Sequence, residues 1–301
     1  MFNKAQAWIQ AARLRTLTLS VSGILLGNGY CLKHPNFSWL LFLLMLCTAI
    51  LFQIISNFAN DYGDGIKGTD NRNRVGPKRT LQSGMLSAIE LKRGIVITAI
   101  MALCFSSTTI ILAFGIDSLF YFIIFTVLSF LCVWSAISYT VGKNAYGYVG
   151  LGDLFVFLFF GLLAVIGSSF VQLQIISKTS LQLSIIVGLL AVGVLNLNNM
   201  RDLENDAAVG KNTLPVLLGN KRAKIYHYSL LVIAIALILV VFLNLSVPYF
   251  WLPITAVVPL LVHFFRVYKN INPKLLDPEL KTLALSVFAF SALSFLTFYM
   301  S

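Results

Sequence analysis

The sequence predicts an all-α, polytopic membrane protein of nine transmembrane helices with its N-terminus in the cytoplasm. Three observations carry this. Hydrophobic types make up 58% of the 301 residues and charged types only 11%, against roughly 25% charged in a soluble domain. The apolar residues fall in runs long enough to span a bilayer, which takes about 20 residues. The basic residues fall between those runs in a one-sided pattern. This composition excludes a soluble globular domain, a disordered chain and a disulfide scaffold. An outer-membrane barrel is excluded because barrel strands alternate apolar and polar residues, and these runs do not.

The spanning runs begin near Leu17, Trp39, Gly94, Leu119, Leu154, Leu181, Ile225, Tyr249 and Leu283. The first is short and extends back toward Arg13. The sixth ends early, at a cluster of asparagines. No cleavable signal peptide is expected, because Lys4, Arg13 and Arg15 lie in a polar-amphipathic stretch with no small-residue cleavage site.

Net charge is +11, from 22 basic and 11 acidic residues. With the N-terminus inside, 20 of the 22 Lys and Arg lie on the inner side and only Lys33 and Lys178 lie outside. The basic excess is therefore a topology signal, and no nucleic-acid partner is expected. Ten of the 11 acids share the inner side, with Asp117 outside. The polar chemistry is gathered at one face, mainly in residues 61–93 and 201–224. The whole chain, 1–301, reads as a single domain of two related halves, about 1–140 and 141–268, followed by the ninth helix.

The four cysteines, Cys31, Cys47, Cys104 and Cys132, lie in or beside apolar runs without a CxxC pair and read as packing residues. His34, His227 and His263 lie far from the acidic segments in sequence and read as non-catalytic.

Two acidic clusters stand out. The second predicted helix runs into Asn57, Asn60, Asp61 and Asp64, which fall within one stripe at about 100° per residue; Asp70 lies beyond three glycines, in the loop. The sixth runs into Asn198, Asp202 and Asp206, spaced i, i+4, i+8 and expected on one face. Carboxylates at a membrane edge are costly unless hydrated, paired or bound to a cation. Two opposed stripes of carboxylate and amide oxygen suit Mg²⁺, a hard ion that keeps waters and takes substrate phosphates as further ligands. The competing explanation is a pair of hydrated helix ends neutralised by nearby Arg and Lys. The clusters also match each other: an Asn, an acid four residues on, a second acid, then a Gly and a Lys.

These residues resemble the UbiA-type intramembrane prenyltransferase superfamily, with its two aspartate-rich motifs and nine-helix bundle. The run Asn57-x-x-Asn60-Asp61-x-x-Asp64-x-x-x-Gly68-x-Asp70, followed by Arg74-Val-Gly-Pro-Lys-Arg79, resembles the 1,4-dihydroxy-2-naphthoate polyprenyltransferases of menaquinone synthesis. So do Trp8-Ile-Gln-Ala-Ala-Arg13-Leu-Arg15-Thr16 and Tyr146-Gly-Tyr-Val-Gly-Leu-Gly-Asp153. The 4-hydroxybenzoate branch usually has an Arg after the second aspartate and an R-T-x-x-R-P segment, where Gly65 and Gly76-Pro77 stand here. The stretch after Thr16 reads Leu-Thr-Leu-Ser, where the family commonly has a proline after R-T-L.

The resemblance implies a polyprenyl diphosphate donor, a 1,4-dihydroxy-2-naphthoate acceptor, loss of diphosphate and CO₂, and a bacterial cytoplasmic membrane with the active site facing the cytoplasm. Diphosphate leaves only when its developing charge is neutralised. Asn60 and Asp64 are expected to hold one Mg²⁺, and Asp202 and Asp206 another. Arg72, Arg79, Lys143 and Lys211 are candidate diphosphate contacts, with Asn57 and Asn198 beside them. Tyr139, just before Lys143, is placed to cover the allylic cation. Asp61, Asp70 or the departing diphosphate is expected to take the acceptor's proton. A lateral opening into the bilayer is expected for the donor tail.

Two rival readings fit the sequence less well. A CDP-alcohol phosphatidyltransferase shares the start of its signature with Asp61-Tyr-Gly-Asp64-Gly65, but Gly68-Thr69 replaces the Ala-Arg pair and the second aspartate pair is far downstream. A cation-coupled transporter should carry its acids near the bilayer midplane, and here they lie at a membrane edge.

Overall fold

The computed structural model describes residues 3–71, 74–116 and 118–301. Two residues singled out above, Arg72 and Asp117, lie outside the described residues. Among the described residues every regular element is helical. In chain order these are α1 (Lys4–Ala12), α2 (Leu14–Cys31), α3 (Trp39–Ile66), α4 (Ala88–Phe114), α5 (Leu119–Ser138), α6 (Gly152–Leu173), α7 (Lys178–Arg201), α8 (Leu203–Ala208), α9 (Leu214–Leu218), α10 (Asn220–Asn244), α11 (Trp251–Lys269) and α12 (Pro273–Met300). Eight of them are long and apolar enough to cross a bilayer, so the chain is an all-α polytopic membrane protein.

Several helices begin before their apolar runs do. The fourth starts at Ala88 rather than near Gly94, because Ser87 and Glu90 form a capping box that satisfies the first free amides. The seventh starts at Lys178, capped by Ser177 and Ser180. Near the N-terminus, Asn3 caps α1 by accepting from Ala5 N. Arg13 then takes a left-handed conformation (φ 50°) that divides α1 from α2. Ala7 and Ala11 bury against α3, with the Trp8 ring edge-on to Phe58.

Four apolar clusters hold the bundle among the described residues, two of them larger than the rest. One joins α7, α10, α11 and α12 through Ile186, Leu190, Leu231, Ile238, Phe242, Leu260 and Phe290. The other joins α1, α3 and α4 through Ile55, Phe58, Leu91 and Ile95. Beside them runs a cavity walled by α2 to α7 and by Leu280 and Ala284 of α12. The middle of α6, Phe157–Gly167, is π-wound. It lends Phe159, Phe160, Leu163 and Ala164 to the wall.

Behind that stretch α6 meets α7 at a pair of glycines. A Cβ on Gly161 would lie 2.6 Å from Gly188 Cα and 2.7 Å from Ser184 O, so the helices touch backbone to backbone and neither can give way. Overpacking of this kind costs about 1–3 kcal/mol. Gly161→Ala is expected to lower stability by that amount, read as an earlier unfolding midpoint in detergent.

Candidate active site

The loops after α3 and α8 and the ends of α3 and α7 meet at one mouth of the cavity, whose volume is about 380 Å³. Asn57, Asn60 and Asp64 on α3 line it, and so do Asn198, Asp202 and Asp206. The two clusters singled out in the sequence therefore share one space. They are built differently. Helix α3 runs unbroken through Asp64, whereas α7 stops at Arg201 and Asp202 has left helical geometry (φ −96°, ψ 10°). Asp206 belongs to the separate short helix α8, so the expectation of one continuous helical stripe from Asn198 to Asp206 is corrected. The Asp206 amide still bonds to Asp202 O at 2.8 Å, which keeps all three residues at the cavity.

Asp64 accepts from the Tyr148 hydroxyl at 2.7 Å and lies 3.5 Å from Lys211 Nζ. Lys67 Nζ lies over the Tyr148 ring, 4.0 Å from its centre. Burial alone would drive Lys211 toward the neutral amine, but the nearby Asp64 and Asp206 carboxylates outweigh it and hold the ammonium above its ordinary value. Asp206 is buried and makes no side-chain hydrogen bond among the described residues. Burial, with the repulsion of Asp202 and Asp64, lifts its carboxyl to about 7, although Lys211 pulls the other way.

Asp202 has both oxygens on the Arg201 guanidinium, at 3.1 and 2.6 Å. Burial would raise its carboxyl, but Arg201 outweighs burial and holds it low. Arg74 spans the gap between loop and helix, 3.1 Å from Asp70 and 3.7 Å from Asp202. Arg79 also lines the cavity.

Other expected residues stand elsewhere. Asp61 is at the edge of the α3 stripe and turns away from the cavity. It is paired with Arg13, lies 3.7 Å from Arg79, and accepts from Thr80 N and Oγ1 at 3.2 and 2.8 Å. Every oxygen is occupied by a cation or a donor, which is the bond pattern of a structural acid rather than a base. Asp70 is buried outside the lining and tied to Arg74, with its Oδ2 unpartnered. Burial raises its carboxyl despite Arg74. Lys143 is exposed and outside the lining, so it does not join the site. Asn57 lines the cavity with its amide donating to Ala12 O and Thr16 Oγ1. Asn198 lines it while accepting from Arg201 at 3.0 Å.

Tyr139 faces the cavity just past α5. Gly147 and Gly152 let the chain close over it, since a Cβ on Gly147 would lie 2.8 Å from Tyr139 Cε2. Its ring is 5.3 Å from Tyr146, which stacks on Phe155 at 4.0 Å and is anchored by hydrogen bonding to Ser135. Sequence reasoning did not assign Arg74, Tyr146, Tyr148 or Arg201 to the site. The first three stand in motifs quoted above, and Arg201 adjoins an acid already singled out. His227 and His263 pair through their Nε2 atoms at 3.1 Å, with His263 Nδ1 2.8 Å from Glu279. They are buried among α10, α11 and α12, outside the cavity; His34 is exposed.

Among the described residues no group of three or more His, Cys, Asp or Glu stands close enough to hold an ion unaided. The donors come instead as carboxylate–amide sets on two sides of a gap, Asn60 with Asp64 and Asn198 with Asp202 and Asp206. That set fits Mg²⁺, which binds through one or two carboxylates and completes its shell with water and phosphate.

The assembly is a helical membrane bundle with a charged, anion-ready mouth above an aromatic and apolar chamber, the layout of an enzyme acting on an amphiphilic phosphate ester. Residues 20–298 match the UbiA prenyltransferase family. The chain is 40% identical over 281 residues to the 1,4-dihydroxy-2-naphthoate octaprenyltransferase of Escherichia coli K12, covering 93% of this chain and 90% of the relative. It is 39% identical over 285 residues to the enzyme of that name from Haemophilus influenzae, covering 94% and 92%. Its fold matches the apo structure of a UbiA homolog from Aeropyrum pernix K1 with a TM-score of 0.72 at 15% identity, covering 93% and 97%. A UbiA homolog from Archaeoglobus fulgidus bound to GPP and Mg²⁺ matches with a TM-score of 0.68 at 18% identity, covering 98% and 100%. The chain belongs to the UbiA prenyltransferase family.

Removing one partner of a buried ion pair costs about 3–5 kcal/mol because the remaining charges are stranded. Asp61→Asn leaves Arg13 and Arg79 without their anion. It is expected to lower the unfolding free energy in detergent by that amount, with mixed loss of folded protein and activity rather than a clean kinetic defect.

Proposed function

We propose that the protein transfers a polyprenyl group from polyprenyl diphosphate to 1,4-dihydroxy-2-naphthoate, releasing diphosphate and CO₂ and giving demethylmenaquinol. The observation that carries this reading is the convergence of both carboxylate–amide clusters and of Arg74, Arg79 and Lys211 on one end of an aromatic-lined cavity. The near-full-length identity to two enzymes named for this acceptor supports the acceptor class.

Asn60 with Asp64, and Asp206 with Asp202, would hold Mg²⁺ on opposite sides of the diphosphate. A carboxylate has about four lone-pair sites, so the Asp202 oxygens keep capacity beyond the two bonds to Arg201. The ion, when bound, neutralises charge developing on the leaving oxygens. Lys211 and Arg79 add fixed positive charge there, and Arg74 can turn from Asp202 toward the incoming phosphates. The allylic C–O bond breaks with its electron pair leaving on diphosphate. Tyr139 and Tyr146 present ring faces to the resulting cation and Phe155 and Phe159 keep water from it. The acceptor ring carbon that bears the carboxylate then forms the new C–C bond, and the electron pair of its bond to CO₂ returns to the ring. The departing diphosphate takes the acceptor's hydroxyl proton as the new bond forms and gives it back as CO₂ leaves, which restores the quinol; Asp61 is fully engaged and Asp70 lies outside the lining.

A cavity of about 380 Å³ accommodates the headgroup and first isoprene units, so a long tail runs out laterally into lipid. We infer that α2 is a ninth crossing. It has 18 residues and packs against α3, α6 and α12. The N-terminus and the site's mouth are assigned to the cytoplasm on the 20-to-2 distribution of basic residues read from the sequence. The related halves, about 1–140 and 141–268, are supported by one acid cluster at the end of α3 and one at the end of α7.

Detergent-solubilised protein given one polyprenyl diphosphate and either dihydroxynaphthoate or 4-hydroxybenzoate is expected to form the naphthoate product by mass, with Mg²⁺ and not with EDTA. A hydroxybenzoate product, or turnover indifferent to chelation, would refute the reading. Asp64→Ala should abolish turnover in protein that still inserts, while the exposed Glu204→Ala should be mild.

Asp206 also predicts a pH dependence. Burial lifts its folded pKa to about 7, above the ordinary carboxyl range, so the metal-free fold loses stability as pH rises from that range toward 7. Mg²⁺ must displace that proton below pH 7. The Mg²⁺ needed for half-maximal activity is therefore expected to rise about tenfold per unit as pH falls below 7. A flat dependence from pH 5.5 to 7.5 would exclude Asp206 as a ligand.

A further inference from the structure

The Arg201 guanidinium is 2% exposed at the C-terminal end of α7. A cation is favoured there by the helix dipole, but its burial requires partners on its N–H groups. Nε and Nη2 donate to the two oxygens of Asp202, Nη2 also donates to Asn198 Oδ1 at 3.0 Å, and Nη1 donates to Asp277 Oδ1 at 2.6 Å. The guanidinium is planar and rigid. Holding Asp277 at one end therefore fixes the direction in which the fork presents Asp202 and Asn198, two residues that line the cavity. Asp277 is on α12, which places no acid or amide in the lining.

A third segment closes over the same group. A Cβ on Gly76 would lie 2.6 Å from Arg201 Nη2, 2.9 Å from its Cζ and 3.0 Å from Arg74 Nη1. Gly76 has no positive φ, so glycine is needed there for space and not for backbone freedom. The loop after α3 thus rests its backbone on Arg201, which locates Arg74 between Asp70 and Asp202.

We propose that Arg201, anchored by Asp277 and covered by Gly76, is a positioning residue that aims Asp202 and Asn198 at the Mg²⁺–diphosphate and so makes the last helix part of the site's assembly. This rests on the proposed reading of the same cavity. Partners that orient a metal ligand from outside the coordination shell typically account for 10–100-fold in metal affinity. The guanidinium needs no contact with substrate to do this.

The test compares wild type, Asp277→Ala, Gly76→Ala and Arg201→Lys, with the exposed Arg222→Gln as a control. Two quantities are measured on each: the thermal stabilisation produced by titrating Mg²⁺ in the presence of inorganic diphosphate, and the Mg²⁺ dependence of turnover. Asp277→Ala and Gly76→Ala are expected to raise the Mg²⁺ needed for half of the stabilisation tenfold or more. Turnover at saturating Mg²⁺ should return to within a few-fold of wild type. Arg201→Lys, which keeps the charge but loses the fork, should shift in the same direction. A merely structural strut would lower the ligand-free melting point and leave the Mg²⁺ requirement unchanged, and that result in Asp277→Ala overturns the proposal. An unshifted Arg201→Lys overturns the claim about fork geometry. If wild type itself shows neither stabilisation nor turnover, the functional reading falls and this inference with it. A responsive wild type with unshifted variants refutes this inference alone.

Discussion

Repulsion among carboxylates collected at a membrane edge is the constraint around which this protein is organised. Asp64, Asp202 and Asp206 line one small mouth and Asp70 is tied to it through Arg74; three of the four are buried below a tenth of their surface. At effective dielectric values typical of proteins, two like charges a few ångströms apart repel by several kcal/mol. The fold answers with cations supplied from different segments: Arg74 from the loop after α3, Arg201 from the end of α7, and Lys211 from the loop after α8. Each of those segments must therefore fold inward, and the closed mouth follows from electrostatics as much as from apolar packing.

The compensation is incomplete, and the shortfall falls at Asp206, which has no side-chain donor among the described residues and is the acid most readily occupied by a proton. A group in that condition is ready to exchange the proton for a metal ion. Asp61, by contrast, has a complete set of partners and ties α1, α3 and the Thr80 turn together. Asp61 and Asp206, acids from the two matching clusters, thus carry opposite tasks, decided by what faces each of them.

The likeness between the two acidic motifs conceals a structural difference. At the end of α3, Asp64 is held by a neutral phenol and a lysine on an unbroken helix. At the end of α7 the helix breaks, and Asp202 is gripped by a planar guanidinium fixed to another helix. The first arrangement leaves the carboxylate free to re-aim, and the second fixes it. Above both, the Tyr139–Tyr146–Phe155 wall depends on Gly147 and Gly152, which let two backbone segments approach the Tyr139 ring closely enough to turn its face into the chamber. Charge and aromatic surface are thereby brought together where an ionised allyl group would form.

Hydrophobic runs and the Asn–Asp spacing by themselves determined that the chain is a helical membrane bundle with two matching acidic helix ends, because each is a local property of neighbouring residues. The same local periodicity placed Asn57, Asn60, Asp61 and Asp64 on one stripe, and the structure keeps all of them but Asp61 at the cavity. Periodicity could not reveal that Asp61 turns from the cavity to Arg13, that Lys143 stays outside while Arg74 enters, or that the buried pair His227–His263 joins Glu279 across three helices. Those outcomes depend on contacts between residues tens to hundreds of positions apart. Only the tertiary structure brings such groups together, since which partner a buried charge receives is set by the packing of whole helices and not by its own sequence neighbourhood.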